Sequence, residues 1–503
     1  MPMPQRQCPA CRMTDNVEPL GYYAALRTEF LANPSRIVVW RRDRAITAEK
    51  FMETASSMAG WLADQGFSAG DRLGLAMHDN LHSIQLAMAC WMIDVEPMIL
   101  DHRLGTDSLA FWRSQQKLRA VISRQVRVCA FSGVVLMPDP ASLPKFELLT
   151  MPSASPANRV GDFIASSGVS GAPKVKEKTQ VGMLTAVRAM MDDQSRGFWG
   201  AALSAISVAF PGARYIWWRN LLAGEPIHSI DLLFSTDTLD EALLDPRIQE
   251  CTLPPNLIRA LAAKAEAAAS PLPRYPHLKK LQSIGGPARA EDKLRAYHSL
   301  TPSYLMTYSS TETGVISRIG GHDLLTNPDS CGRVLLGLDV DIADNTGATC
   351  PPDTVGRIRL RRPAASGKQG EITEIFPGDL GWFDDAGFLY IAARGEGIIC
   401  RHGVNFSAAL LESRILAMDS IRDAAVIRVS GREDTEDAIL LALDIGTAPM
   451  DDIRRELRKT LNAHERPDGL WLLGPEDLTV GGKIKRSQIS AWWQSAPEKF
   501  QAF

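Results

Sequence analysis

Helical and strand-like hydrophobic periods alternate along the N-terminal two thirds of this chain, and few architectures accept that pattern. Thr47 is placed to cap a helix whose apolar residues Phe51, Ala55, Met58 and Leu62 recur at helical spacing, and Gly66 is placed to end it. The pair Asp71-Arg72 then leads into LGLAM, a short strand-like run. Residues 83–100 read as a buried helix followed by another strand. Strands that alternate with helices in this way assemble into parallel sheets with helices over their faces. From 320 to 375 the chain is richer in Gly, Asp and alternating stretches such as VGRIRLRR, which predicts a β-rich subdomain. After Arg394 the character changes again. An apolar-faced helix is expected over 407–417, a strand over 421–429, and another helix with Ile453, Leu457 and Leu461 on one face. The fold class is therefore α/β. A large N-terminal domain, 1–394, holds helix-covered, mostly parallel sheets plus the β-rich subdomain, and a small α+β C-terminal domain spans 395–503.

Composition narrows the function. Apolar residues make up 45% and charged residues 22% of the 503 positions, which excludes a disordered or fibrous chain. Lys and Arg number 55 against 58 for Asp and Glu, so no basic excess is present to neutralise nucleic-acid phosphates. The longest near-apolar run, Ala201–Phe210, stops at Pro211-Gly212, too short for a membrane span. The first residues hold no apolar stretch of the signal-peptide kind, and eight cysteines in a chain this long are no disulfide framework. Reduced thiols and a cytoplasmic location are expected. Cys8 and Cys11 form one CxxC, but no second pair lies nearby to complete a zinc site, and the plainer reading is two free thiols.

Residues 164–174, IASSGVSGAPK, gather the groups that a polyphosphate needs: glycines that let backbone N–H groups approach, serine hydroxyls and a lysine. Pro173 precedes Lys174 and Val175 follows it, so this is not the common P-loop. Taken alone, the segment reads equally as a Ser/Gly surface turn.

Further blocks follow in order. They are SIGGPA at 283–288, YSSTE at 308–312, GDLGWFDDAGFLYIAAR at 378–394, GVNFSAALLE at 403–412 and GKIKR at 482–486. Together with IASSGVSGAPK they resemble the signature blocks of the adenylate-forming superfamily, which includes acyl-CoA synthetases, luciferase-like enzymes and peptide-synthetase adenylation domains. The look is closest to bacterial acyl- or aryl-CoA ligases. The match covers residues 164–486. Departures from the family pattern fall at Val169, Val175, Ser309, Ala393, Ala408 and Leu410.

The resemblance implies a two-step reaction. A carboxylate attacks the α-phosphate of ATP and releases pyrophosphate, and a thiol then takes the acyl group and releases AMP. It implies ATP, Mg²⁺ and coenzyme A as cofactors and co-substrates. Ser167, Gly168, Ser170, Gly171 and Lys174 would hold the phosphates. Gly286 and Pro287 would lie beside adenine, Tyr308 would stack on it, and Ser309 belongs to the same nucleotide block. Thr311 would donate to the α-phosphate, and Glu312 would hold Mg²⁺, which prefers carboxylate and phosphate oxygens. Asp379 and Arg394 would take the ribose. Lys483, rather than Lys485, would be the catalytic cation, a compact charge suited to bridging carboxylate and phosphate oxygens. Glu396 falls at the family's hinge, so the C-terminal domain is expected to be mobile. One pose would bring in Lys483, the other the loop at Gly403 that faces coenzyme A.

The acid pocket implied by the resemblance draws on Phe210, Gly212, Ile216, Gly285 and Gly286, which suits an apolar or aromatic acid. Tyr215, Trp217 and Trp218 are further candidates for its walls, although tryptophans in such a run are most often core. Arg214 and Arg219 either reach a second carboxylate on the substrate or face solvent, a neighbouring element or the phosphates of coenzyme A. Two other functions stay open: an adenylating enzyme that loads a separate carrier protein's phosphopantetheine, and a nucleotide-binding relative without turnover. A monomer or homodimer, with no nucleic acid and no membrane span, completes the expectation.

Overall fold

In the computed structural model the described residues are 20–104, 106–124, 133–146, 156–166, 174–192, 200–232, 235–268, 271–286, 288–310, 313–344, 346–363, 372–394, 398–401, 404–429, 438–462, 465–479 and 484–503. The chain forms two compact units. The first comprises 1–165 with 175–251, and the second 166–174 with 252–503. The 394/395 boundary read from the sequence falls inside the second unit.

The first unit is built as the alternating periods require. Thr47 caps the helix Ala48–Asp64 by accepting from the Lys50 N–H at 3.2 Å, and Gly66 takes up a positive φ of 80° just beyond its end. The strands Glu96–Ile99, Arg72–Ala76, Ala120–Ser123 and Val134–Leu136 lie side by side, all parallel. A second parallel set runs Ala202–Ser204, Ile227–Ser229, Ile37–Arg41, with Arg44–Thr47 antiparallel at its edge. Its core centres on three interlocking aromatics. Tyr22, Trp91 and Trp218 have ring centroids 5.0–5.8 Å apart. Trp217 and Trp218 are each only 1% exposed, so they are core rather than pocket wall.

In the second unit Lys280–Ser283 runs parallel to Tyr304–Ser310, which turns back as Gly314–Gly320. The expected β-rich part follows as a five-stranded sheet around Gly356–Pro363, Asp379–Phe383 and Leu389–Arg394. The C-terminal strands Asp423–Val429 and Ala438–Asp444 pair antiparallel, and Gly469–Leu472 joins the latter in parallel. Both faces of this small sheet are covered, which explains its near-continuous apolar runs. Ala424, Val426, Ile439 and Leu441 pack with the helices Ala408–Leu416 and Met450–Thr460, through Leu411, Ile415, Ile453 and Leu457. The alternate residues Ala425, Ile427, Leu440 and Ala442 pack with Ile489 and Phe500. Both of these clusters consist of residues from 399 onward. Among the described residues, no helix is long and apolar enough to cross a membrane.

Candidate nucleotide and acid site

Parallel strands end together, and the loops at their C-terminal ends form the usual crevice for ligands in such sheets. Two of the sequence blocks sit at that edge. Gly285 and Gly286 follow the strand Lys280–Ser283, and Tyr308–Ser310 finish the strand beside it. The register sets Ser283 opposite Met306, so the chain runs on two residues further from each to reach Gly285 and Tyr308 respectively in sequence. Gly285 has φ +90° and open space where a Cβ would stand, so the turn needs glycine for its backbone and leaves a clear surface above it. Gly286 backs onto Pro255.

The ladder from Tyr304–Ser310 to Gly314–Gly320 shifts register between Tyr308 and Ser309, a bulge of the kind that re-aims side chains. Ser310 and Gly314 are paired across the turn, and Ser310 Oγ accepts from the Thr313 N–H at 3.1 Å. Thr311 and Glu312 lie outside the described residues, as do Ser167, Gly168, Ser170, Gly171, Pro287, Glu396, Gly403, Lys483 and the Cys8/Cys11 segment.

The sequence assigned Tyr308 and Asp379 to one nucleotide from blocks 71 positions apart. The structure brings them together, with Tyr308 Oη donating to Asp379 Oδ2 at 2.5 Å. Asp379 is 7% exposed and opens the strand Asp379–Phe383 directly after Gly378, whose φ is +84°. In the antiparallel register its Cα partner is Arg394. The backbones of Asp379 and Arg394 are thus paired across the sheet, with the Tyr308 hydroxyl bonded to the first of them. Lys174 opens the strand Lys174–Thr179, which pairs with Val160–Ser166, so the candidate phosphate loop 167–173 connects two paired strands.

Described residues on either side of Lys483 make defined contacts. An antiparallel bridge joins Leu478 to Ile484. Lys485 is already engaged, its ammonium donating to the Glu476 carbonyl at 2.7 Å. Arg486 forms an ion pair with Glu412 and donates to the Val426 carbonyl at 3.0 Å, while Glu412 accepts from the Val426 N–H at 2.6 Å. The GKIKR block is thereby tied to the end of the GVNFSAALLE block. Sequence reasoning did not find this pairing. The only signal was a glutamate at 412 on a helix otherwise apolar over Ala408–Leu411.

Helix Pro211–Ala223 carries the acid-side candidates of the first unit. Phe210 precedes it and is 47% exposed, Gly212 is exposed, and Ile216 is half-buried one turn on. The arginines of the same helix face inward. Arg214 is paired with Asp162, and Arg219 with Glu250 at 2.8 Å. Both are engaged by neighbouring elements, which selects that one of the alternatives left open by the sequence over a substrate carboxylate, solvent or the phosphates of coenzyme A. Burial pushes the Asp162 carboxyl above its ordinary range, against the pull of Arg214. Among the described residues, no cluster of His, Cys, Asp and Glu is arranged to hold a metal ion.

Comparison with known proteins bears on this site. A family model described as AMP-binding enzyme matches residues 26–367. A 2-succinylbenzoate–CoA ligase of Geobacillus kaustophilus (strain HTA426) is 23% identical over 426 residues, covering 80% of this chain and 84% of that protein. In structure, the chain is similar to an O-succinylbenzoate coenzyme A synthetase of Bacillus subtilis in complex with AMP. The TM-score is 0.78 at 17% identity, over 93% of this chain and 98% of that one. It is also similar to an amide bond synthetase of Marinactinospora thermotolerans, with TM-score 0.75 at 20% identity, over 94% and 99% of the two chains. Those likenesses show a shared fold, and the family match spans most of the chain. The chain belongs to the AMP-binding enzyme family.

Proposed function

We propose that the protein is an ATP-dependent carboxylic acid–CoA ligase. It joins an acid to AMP with release of pyrophosphate, then transfers the acyl group to the thiol of coenzyme A with release of AMP. The observation that carries this reading is the union of Tyr308 with Asp379 opposite Arg394, at the C-terminal edge of parallel strands. Asp379 would receive the ribose hydroxyls and the Tyr308 ring would lie against adenine. Lys483, which lies in sequence between the bridged residues Leu478 and Ile484, would meet the charge that develops between carboxylate and α-phosphate. Mg²⁺ would be held by Glu312 and phosphate oxygens and would supply charge neutralisation.

The same reading makes 395–503 a mobile domain that turns about Glu396, exchanging Lys483 for the Gly403 loop. Support comes from the apolar clusters of this region, which draw only on its own residues. An apolar or aromatic acid is favoured. The outward residues Phe210, Gly212 and Ile216 carry no charge, and both arginines of their helix are already paired. The acid in the relatives' names, 2-succinylbenzoate, is aromatic but carries a second carboxylate, so a dicarboxylic arm in the test discriminates. The test is pyrophosphate release over a panel of aryl, fatty and dicarboxylic acids, each with and without coenzyme A. The acyl product is identified by mass. Turnover to an acyl-CoA with one aryl or apolar class supports the proposal. Adenylate formation that ignores coenzyme A redirects it to a carrier protein or another acceptor.

A further inference from the structure

Asp162 and Arg214 form an ion pair that the proposed reaction does not use. Asp162 interrupts the apolar strand Val160–Ser166, and Arg214 stands on the inward side of Pro211–Ala223. Their side chains are 3% and 1% exposed. The guanidinium is fully engaged. Nε reaches Asp162 Oδ2 at 3.2 Å, and Nη2 reaches Asp162 Oδ1 at 3.1 Å and the Phe163 carbonyl at 3.1 Å. Nη1 donates to the carbonyls of Val208 at 2.8 Å and Ala209 at 3.3 Å. These contacts use every N–H of the fork.

A buried ion pair of this kind adds little stability that well-packed apolar residues would not also give. What it supplies is geometry, because one rigid plane fixes the backbone at 162–163 relative to that at 208–209. The first stretch runs on to the candidate phosphate loop at 167–173, and the second leads directly to Phe210. Other contacts brace the same two stretches. The Trp91 indole donates to the Gly161 carbonyl at 3.1 Å. Asn80 donates to the Ile206 carbonyl at 2.8 Å and accepts from the Val208 N–H at 3.0 Å.

We propose that Asp162 and Arg214 are a positioning pair that sets the Asp162–Phe163 stretch of strand Val160–Ser166 against Val208–Ala209, the residues leading into Phe210 and helix Pro211–Ala223. Neither touches substrate. The proposal rests on the ligase reading, since it assigns ATP to one stretch and the acid to the other.

The test replaces the pair by apolar residues, D162L/R214M, which preserve packing without leaving a buried charge unpaired. D162N/R214Q, which keeps polar groups without charge, serves as the second variant. Melting temperature and circular dichroism report the fold, and pyrophosphate release is titrated separately in ATP and in acid. The expected result is a native fold with a lowered melting temperature, since the carbonyls of Phe163, Val208 and Ala209 lose a donor, and with KM for ATP and for the acid each raised about tenfold or more, as small misplacements of reacting groups commonly cause. A folded variant with wild-type KM for both overturns the positioning role and leaves the ligase reading standing. A wild-type enzyme that releases no pyrophosphate with any acid overturns both.

Discussion

Removing the Tyr308 hydroxyl separates the two duties assigned to that residue. Its Oη lies 2.5 Å from a carboxylate oxygen of Asp379, itself only 7% exposed, so the bond is charge-assisted and shielded from water. Such bonds contribute about 1.5–3 kcal/mol. The lower end applies here, because Asp379 has further interactions and is not orphaned by the change. Y308F should therefore weaken AMP binding by about tenfold, since 1.4 kcal/mol is one factor of ten. Y308A removes the ring as well. Loss of base–aromatic stacking costs a further 1–3 kcal/mol or so, giving about 10²- to 10³-fold in total. Calorimetric titration of AMP into the three proteins measures both steps, with melting curves to verify the fold. Wild-type affinity in Y308F would show that Asp379 needs no orientation by Tyr308. Equal losses in Y308F and Y308A would show that the ring does not stack.

Other expectations follow from the same structure. K483A should abolish most adenylation while leaving thioester formation from supplied acyl-adenylate largely intact; equal loss in both half-reactions, measured separately, would contradict the role of Lys483. G285A places a side chain on a residue at φ +90° with open space around it, so the cost is backbone strain of about 1–2 kcal/mol in denaturant unfolding, without a steric clash. Stability should also fall on acidification. Burial, with no hydrogen-bond partner for Nε2, lowers His228 to about 4. The unfolded chain therefore takes up this proton first. The stabilisation is complete above about pH 6.5 and is lost progressively toward pH 4, a change of at most about 3 kcal/mol, reduced by solvent screening. Arg359 holds Asp341 down to about 2, so its contribution disappears in a lower window, from about pH 4 to 2. Urea unfolding across pH 3–8 checks both, and a flat profile above pH 4 would contradict the burial of His228.

Local signals carried much of the fold. A cap at Thr47, a left-handed glycine at 66 and the period of Phe51, Ala55, Met58 and Leu62 act within a few residues of one another, and the helix formed where they placed it. A strand is expected over 421–429, and Asp423–Val429 is one, with both faces covered. The Tyr308–Asp379 pairing was legible only because recognisable blocks surround each partner. The arginines were not legible in this way. A charge inside the apolar helix YIWWRNLLA signals burial, but a carboxylate 52 or 31 positions away leaves no local trace. The Glu412–Arg486 bond, 74 positions apart, escaped for the same reason. Long-range ion pairs are set by tertiary packing, and the sequence shows only that a partner is needed.

The central claim is that this site joins a carboxylate to AMP. Acid-dependent exchange of labelled pyrophosphate into ATP tests it most directly, because the exchange requires the adenylation step to run in both directions and requires no thiol. The account predicts exchange without coenzyme A in the presence of an apolar or aromatic acid, lost in K483A. Absence of exchange across such acids, in a protein that binds AMP, would contradict it.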